Sequence, residues 1–181
     1  MQPDAAASAQ ALARIEELQA RRRLGGRPIT GERRHVTLHW LADHDVLPVD
    51  LMASARSAGA AVAQASFEVV FDQIGSLGDA AHPGPVVLSG GAGLRALREL
   101  QRVLGRELEA AGLGRYVPQG FQPHMTLLYP RPVVYVPVHA VAPLRWTPRE
   151  LVLIDSRALE QITGYDILGR WPLHDAGALD D

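Results

Sequence analysis

The strongest constraint in this sequence is an internal repeat. A shift of 89 residues superimposes two segments that share the pattern His-x-Thr-Leu, one beginning at His35 and the other at His124. The match also includes a preceding Leu-Gly and a loop glycine. The paired residues are Leu24 with Leu113, Gly25 with Gly114, Gly31 with Gly120, His35 with His124, Thr37 with Thr126 and Leu38 with Leu127. We interpret the repeat as a duplicated structural unit whose two motifs are related by a pseudo-twofold axis.

Hydrophobic periodicity predicts alternating helices and strands around the motifs. Apolar residues at helical spacing predict helices over 5–23, about 48–63 and 93–108. Short apolar or alternating runs predict strands over 34–41, 67–72, 85–88, 151–156 and 165–171, and an extended segment over 121–129. Pro130 and Pro132 limit 133–136 to an edge strand or an extended loop. This alternation indicates an α/β or α+β domain of two layers.

Length and composition narrow the class of protein. The 181 residues, 47% of them hydrophobic, predict a single domain over 1–181, with repeat halves near 5–75 and 85–171. The absence of cysteine excludes disulfides, thiolate catalysis and cysteine-based metal sites. A formal net charge of −2 argues against coating of long nucleic acid but allows a small or terminal substrate. Without a long apolar run or a basic leader, we expect a cytoplasmic protein with no membrane partner.

The repeat also predicts a strand that this sequence does not contain. The third predicted helix follows the strand at 85–88, whose counterpart in the first half would precede Met1. We therefore expect either a chain that begins downstream of its natural start or a sheet that tolerates the gap. In-frame upstream codons would distinguish these two possibilities.

The residue types in the motifs suit acid–base chemistry on a phosphodiester. In a strand, side chains at i and i+2 share a face, with Cα atoms about 6.6 Å apart, so each motif can aim a histidine and a threonine into one cleft. One neutral imidazole can accept a proton while one imidazolium donates another, because the histidine pKa is near neutrality. The hydroxyls of Thr37 and Thr126 would bind phosphate oxygens and stabilise developing charge. The competing interpretation is a satisfied histidine on each strand.

The paired His-[Val/Met]-Thr-Leu motifs resemble the two-histidine phosphoesterase superfamily, and within it the bacterial 2′-5′ RNA ligase-like RNA 2′,3′-cyclic phosphodiesterases. The resemblance covers nearly the whole chain. It implies an α+β fold with two pseudo-symmetric lobes, each a small antiparallel or mixed sheet with helices outside, around a central cleft. It implies hydrolysis of a 2′,3′-cyclic phosphate to a 2′-phosphate, with His35 as the acid for the departing 3′ oxygen and His124 as the base for water.

This sequence departs from the family pattern at two places. Relatives often carry an arginine five residues after the second histidine, where this sequence has Tyr129; Arg131 is a possible substitute, although Pro130 redirects the chain. The family's first strand, an apolar segment ending before a proline, is absent ahead of Pro3. The first departure leaves substrate preference open.

Other residues have candidate roles around the motifs. His39 shares the face of His35 and Thr37, so we expect it either to line the cleft or to be a solvated histidine at the strand end. Phe121 and Tyr129 flank the second motif and could stack on a nucleobase, although Phe121 also suits a core position. We expect no metal and no cofactor, since the spacing of His35 and His39 would suit zinc only on a helix. The remaining histidines, His44, His82, His139 and His174, are predicted to lie at the surface.

Two functions follow from these observations. The first is a metal-independent phosphodiesterase acting on RNA 3′ ends or small cyclic nucleotides, without an obligate protein partner. The alternative is a non-catalytic module of the same fold that binds nucleotides or RNA ends. The two differ in turnover, and a structural protein with an accidental repeat would show neither binding nor turnover.

Overall fold

The computed structural model describes residues 1–41, 43, 45–155 and 166–174, and these form three helices and six strands. The helices are α1 (Ala5–Arg22), α2 (Val49–Ala61) and α3 (Arg95–Ala110). The strands are β1 (Val69–Gly78), β2 (Pro83–Ser89), β3 (Met125–Leu128), β4 (His139–Trp146), β5 (Glu150–Asp155) and β6 (Asp166–Pro172). The mixed α+β class predicted above is confirmed.

The three helices form where apolar residues recur at helical spacing. In α1 the buried residues are Ala7, Ala11, Ile15 and Leu18. Its N-terminus is capped by Asp4, whose carboxylate accepts a hydrogen bond of 2.8 Å from the Ala7 amide, and the helix ends where Arg23 adopts a left-handed conformation. The predicted helices therefore agree with the structure to within a few residues.

A four-stranded antiparallel sheet carries the second motif. The strand order is β3-β2-β1-β4, and α1 packs against β3 and β4. Thr126 of β3 lies opposite Val87, and Met125 lies opposite Leu88. Phe71 and Leu144 are fully buried in the core between this sheet and the helices. The second motif is thus fixed by a regular backbone ladder.

A two-stranded antiparallel sheet, β5 with β6, forms the second layer. Helix α2 packs against both strands and against α3. A Cβ at Gly59 of α2 would lie 2.8 Å from the Trp171 ring, so this close contact requires glycine. The sheets do not follow the sequence halves, because β1 from the first half pairs with strands of the second.

One prediction about a strand is wrong. Residues 34–41 are extended but form no regular strand, because the pairing of Val36 with Met1 does not continue into a ladder. The Val36 amide donates to the Met1 carbonyl at 2.8 Å, and the Met1 ammonium donates to the Val36 carbonyl at 3.0 Å. The segment 121–129, predicted to be extended, contributes Met125–Leu128 to the sheet as β3. Of the two alternatives for 133–136, the structure shows the extended loop.

Strand β4 was not predicted. Its outward side chains and Pro143 obscure the strand pattern, and proline is tolerated there because β4 is at the edge of the sheet. The strands predicted at 151–156 and 165–171 correspond to β5 and β6, while Ser156 and Tyr165 lie outside the described residues. None of the helices in the described residues is long and apolar enough to cross a membrane.

Candidate active site

His35 lies in an extended segment that directly follows the short turn Gly31–Arg33. Along this segment Val36 and Leu38 are buried, whereas His35, Thr37 and His39 are half-buried or exposed. The predicted shared face of these three side chains is therefore present even though the segment is not a strand. The neighbouring Arg34 is buried, and its guanidinium donates to the Ser8 carbonyl at 2.5 Å, which fixes the segment to α1.

The two motif histidines are held in the same local way. The Nδ1–H of His35 donates to the carbonyl of Arg33 at 2.9 Å, and the Nδ1–H of His124 donates to the carbonyl of Gln122 at 2.8 Å. Since a carbonyl can only accept, Nδ1 carries the proton in both rings. The lone pair of each neutral imidazole is thus on Nε2. Arg33 and Gln122 are themselves related by the 89-residue shift.

His35 and His124 influence each other electrostatically. Burial lowers the pKa of His35, and the hydrogen bond to Arg33 partly opposes this shift. The positive charges of the Met1 ammonium and of His124 lower the His35 pKa further. A charge on one imidazole therefore disfavours a charge on the other, which is the relation required if the pair is to hold one proton near neutral pH.

An open groove of about 680 Å³ brings the two motifs together. Thr37 and His39 of the first motif and His124 of the second line it, with Phe121 beside them. Thr37 and His39 also line an adjoining apolar cavity, where His35 forms part of the wall. Thr126 is half-buried in β3, on the opposite face from Met125 and Leu127, and so on the same side as His124.

His39 lines the groove as predicted, but it also fixes α3. Its Nε2–H donates to the carbonyl of Gln101 at 2.9 Å, while Nδ1 is buried without a hydrogen-bond partner. A Cβ at Gly105 would lie 3.4 Å from the His39 ring. His39 is therefore not a solvated histidine at the end of a strand. The other described histidines, His82, His139 and His174, are exposed, and His44 lies outside the described residues.

The candidate substrate-binding residues around the second motif separate into two groups. Phe121 is half-buried, lines the groove and packs against the core, so both predicted roles apply to it. Tyr129 and Arg131 are exposed and are not among the residues that line the groove. Their backbone instead packs on the Gly25-Gly26 loop, where a Cβ at Gly25 would lie 2.1 Å from the Arg131 carbonyl oxygen. This contact explains why the repeat has glycine at position 25.

The groove is also lined by aromatic and basic residues that were not predicted from the sequence. Trp40 is 63% exposed and lines both the groove and the apolar cavity. Tyr116 lines the groove, with the Arg115 guanidinium 4.8 Å from its ring centroid. Trp40 directly follows His39. Its position next to the first motif could have identified Trp40 as a groove residue from the sequence.

No group of three or more His, Asp or Glu side chains in the described part of the chain is arranged to hold a metal ion. The side chains that line the groove carry imidazole, hydroxyl, guanidinium, carboxamide and indole groups.

Comparisons with known proteins agree with this architecture. A family model described as the 2′-5′ RNA ligase superfamily matches residues 3–160. A search of curated proteins found no match.

Several solved structures share the fold. The crystal structure of TT0787 from Thermus thermophilus has 21% identity and a TM-score of 0.69, with 93% of this chain and 94% of that chain covered. E. coli LigT in its apo form has 21% identity and a TM-score of 0.70, with coverage of 97% and 95%. E. coli LigT complexed with NADP⁺ has 24% identity and a TM-score of 0.63, with coverage of 92% of each chain.

Proposed function

Because the chain belongs to the 2′-5′ RNA ligase superfamily, we propose that it is a metal-independent phosphodiesterase that hydrolyses RNA 2′,3′-cyclic phosphate ends, or related 2′-5′ and cyclic nucleotide phosphodiesters, to 2′-phosphates. The main support is the matched pair of Nδ1–carbonyl hydrogen bonds, which leaves Nε2 of His35 and of His124 as the proton-transfer atom in each ring. The positive charge of a protonated His124 also lowers the pKa of His35, as expected for two histidines that bind one phosphate.

The proposed reaction balances with these two groups alone. The oxygen of a water molecule forms a bond to phosphorus while its proton passes to one neutral imidazole. The bond between phosphorus and the 3′ oxygen breaks, and the other ring, as imidazolium, gives its proton to that oxygen. The family resemblance assigns His124 as the base and His35 as the acid. One net proton transfer between the rings resets the pair for the next turnover.

The threonines and the groove would bind the phosphate and the nucleoside. Thr37 lies on the groove wall, and Thr126 shares a face with His124, so their hydroxyls would donate to non-bridging phosphate oxygens. A groove of this size is within the range that holds a nucleotide. E. coli LigT has been crystallised with 3′-AMP and with ATP, which supports nucleotides as the ligand class.

An assay on a panel of substrates tests the proposal. We expect the purified protein, with EDTA present, to hydrolyse a 2′,3′-cyclic nucleotide, an RNA with a cyclic phosphate end, or a 2′-5′ dinucleotide, giving 2′-phosphate from the cyclic substrates. Chelator-sensitive turnover would contradict the metal-free mechanism. Nucleotide affinity without turnover on the whole panel would favour the non-catalytic binding module instead.

Variants of the two histidines connect activity to the site. Replacing either His35 or His124 by Ala should lower kcat by roughly 10²- to 10⁴-fold, because each removes one proton transfer. His139→Ala is a matched control: the His139 Nδ1–H makes the same kind of bond, to the Pro137 carbonyl at 2.9 Å, but the side chain is exposed and is not among the groove-lining residues. Unchanged turnover in both motif variants would exclude the acid–base role.

A further inference from the structure

A second groove runs along α3 from the candidate active site. It has a volume of about 400 Å³, and Arg98, Arg102 and Arg106 form its α3 wall together with Gln101 and Gly105. Its opposite wall is the segment 117–121, and both grooves include Val117, Pro118, Gly120 and Phe121. The two grooves therefore meet at this segment, with Phe121 at the junction.

The three arginines form one stripe because they are four residues apart. This spacing places them on the same face of α3, about 6 Å apart along the helix axis. All three side chains are exposed. Arg102 forms a salt bridge with Glu99, whereas Arg98 and Arg106 form none among the described residues. Glu109 is the one acidic residue that lines the same groove, so the stripe has a positive surplus.

The position of the stripe relative to the motifs is fixed by packing. Leu97 and Leu100 are fully buried on the other face of α3. The His39 ring is hydrogen-bonded to the Gln101 carbonyl, in the middle of the stripe. Gly105 approaches both His39 and Val117 so closely that its Cβ would lie 3.3 to 3.4 Å from them. These contacts place the arginines beside the groove that contains His124.

We propose that the stripe of Arg98, Arg102 and Arg106 is a binding site for the phosphodiester backbone of the RNA strand that leads to the reactive end. Guanidinium groups bind phosphate oxygens in a bidentate manner, and backbone contacts of this kind position a strand without reading its sequence. Phe121 at the junction offers a ring on which a base can stack. A mononucleotide could reach both histidines but would leave the arginines without phosphate ligands. The inference rests on the proposed phosphodiesterase function and assigns its substrate class as an oligoribonucleotide end.

Comparison of a short and a long substrate tests this site. We would measure kcat/KM for a 2′,3′-cyclic mononucleotide and for an RNA octamer with a 2′,3′-cyclic phosphate end, using the triple variant Arg98→Gln, Arg102→Gln and Arg106→Gln. We expect kcat/KM to fall roughly tenfold or more for the octamer and less than about twofold for the mononucleotide. The dependence of octamer affinity on salt should also weaken, by a slope of about 2 in log–log form.

The control variant removes three arginine charges from a different part of the surface. Arg21, Arg22 and Arg23 at the end of α1 are exposed and line neither groove, so their triple glutamine variant should keep octamer activity. Equal losses for both substrates, or a loss no greater than in the control, would overturn the proposal. Arg98→Gln and Arg106→Gln, which disrupt no salt bridge among the described residues, serve as single variants if the triple variant folds poorly.

A binding measurement separates this proposal from the proposed function. Fluorescence anisotropy with a labelled octamer that ends in a 2′-phosphate needs no turnover. If the wild type binds this octamer and the stripe variant does not, the site is supported even if no substrate is hydrolysed. If both proteins bind it equally, the stripe is not the backbone site whatever the activity.

Discussion

At the scale of single residues, the two motif histidines are matched in tautomer but differ in environment. Both rings donate Nδ1–H to the carbonyl two residues earlier. His35 differs because burial and, to a smaller extent, the positive charge of the Met1 ammonium lower its pKa. The repeat predicted the equivalence of the two rings. It could not predict the difference, which arises from residues outside the motifs.

The lowered pKa of His35 predicts the position of one limb of the pH profile. The active form of the pair holds one proton, and activity falls at low pH when both rings are protonated. Burial and the positive charge of a protonated His124 both lower the pKa of His35, so the doubly protonated pair should lose its first proton at a lower pH than an isolated histidine would. The acidic limb of kcat/KM against pH should thus lie below about 6.5, the ordinary histidine value. An acidic limb above that value would contradict this account of His35.

The acid and base roles can be separated by the leaving group. A p-nitrophenyl phosphodiester of a nucleoside loses a weakly basic leaving group that needs little protonation, so the general acid becomes dispensable. If His35 is the acid, His35→Ala should retain far more of its activity on this ester than on a cyclic phosphate. His124→Ala should lose activity on both substrates. The opposite pattern would reverse the two roles.

At the scale of elements, the two motifs are supported unequally. In the four-stranded sheet, β2 lies beside β3 and pairs Leu88 with Met125. By the 89-residue shift Met125 corresponds to Val36, which pairs with Met1 alone. An apolar cavity of about 230 Å³ adjoins this pair and is lined by Val36, Leu38, Leu151 and Leu153, among others. We propose that this cavity accepts a β-strand beside the first motif, as the repeat predicted.

Adding a strand tests this interpretation of the cavity. We expect that fusing the β2 sequence Pro-Gly-Pro-Val-Val ahead of Met1 will raise Tm by several degrees, because burial of two valines contributes about 1.5–3 kcal/mol each at most. The amides of 37 and 39 should also exchange more slowly with solvent. A Gly-Ser extension of the same length is the control. Equal Tm values for the two extensions would show that the cavity does not accept a strand.

Secondary structure could be predicted from the sequence where the residues of an element alone determine its conformation. Helices α1 and α3 bury apolar stripes that can be read from the sequence. The conformations of β4 and of residues 34–41 depend instead on which strands lie beside them in the fold. The local sequence does not specify those neighbours. The contact of His39 with Gln101 joins residues 62 apart, so sequence spacing could not show that His39 fixes α3.

At the scale of the whole molecule, a buried N-terminal charge links stability to pH. Burial lowers the pKa of the Met1 ammonium from 8.0 to about 5, with Glu150 partly opposing the shift. Between these values the unfolded chain binds more protons than the folded chain, so stability falls as pH decreases from 8 to 5. The full effect is on the order of a few kcal/mol. The lowered pKa of His35 acts in the same direction.

Urea unfolding at several pH values checks this linkage. The free energy of unfolding should decrease from pH 8 to pH 5. This decrease should be smaller in the Gly-Ser extension, where the terminal charge no longer lies next to Val36. Identical pH dependence in both proteins would show that the Met1 ammonium is not the group responsible.

The internal repeat was more informative about the site than either His-x-Thr-Leu motif alone. Two similar segments in one chain predicted two histidines facing one groove. Thr37, His39 and His124 line the groove, whereas His35 lines the adjoining apolar cavity, which Thr37 and His39 also line. The arginines of the α3 stripe and Trp40 are not among the residues that the 89-residue shift matches, so neither was anticipated as part of the substrate path. The sequence thus indicated the reacting groups better than the surface that would recognise the rest of the substrate.

The most direct test of the central claim is a crystal structure of the protein with a uridine–vanadate complex, which imitates the pentacoordinate phosphorus of the proposed reaction. We predict that Nε2 of His35 and Nε2 of His124 both lie within about 3 Å of vanadate oxygens, on opposite sides of the vanadium atom, as hydrogen bonding requires. The hydroxyls of Thr37 and Thr126 should contact the equatorial oxygens. Vanadate bound to only one of the two imidazoles, or bound outside the groove, would contradict the account.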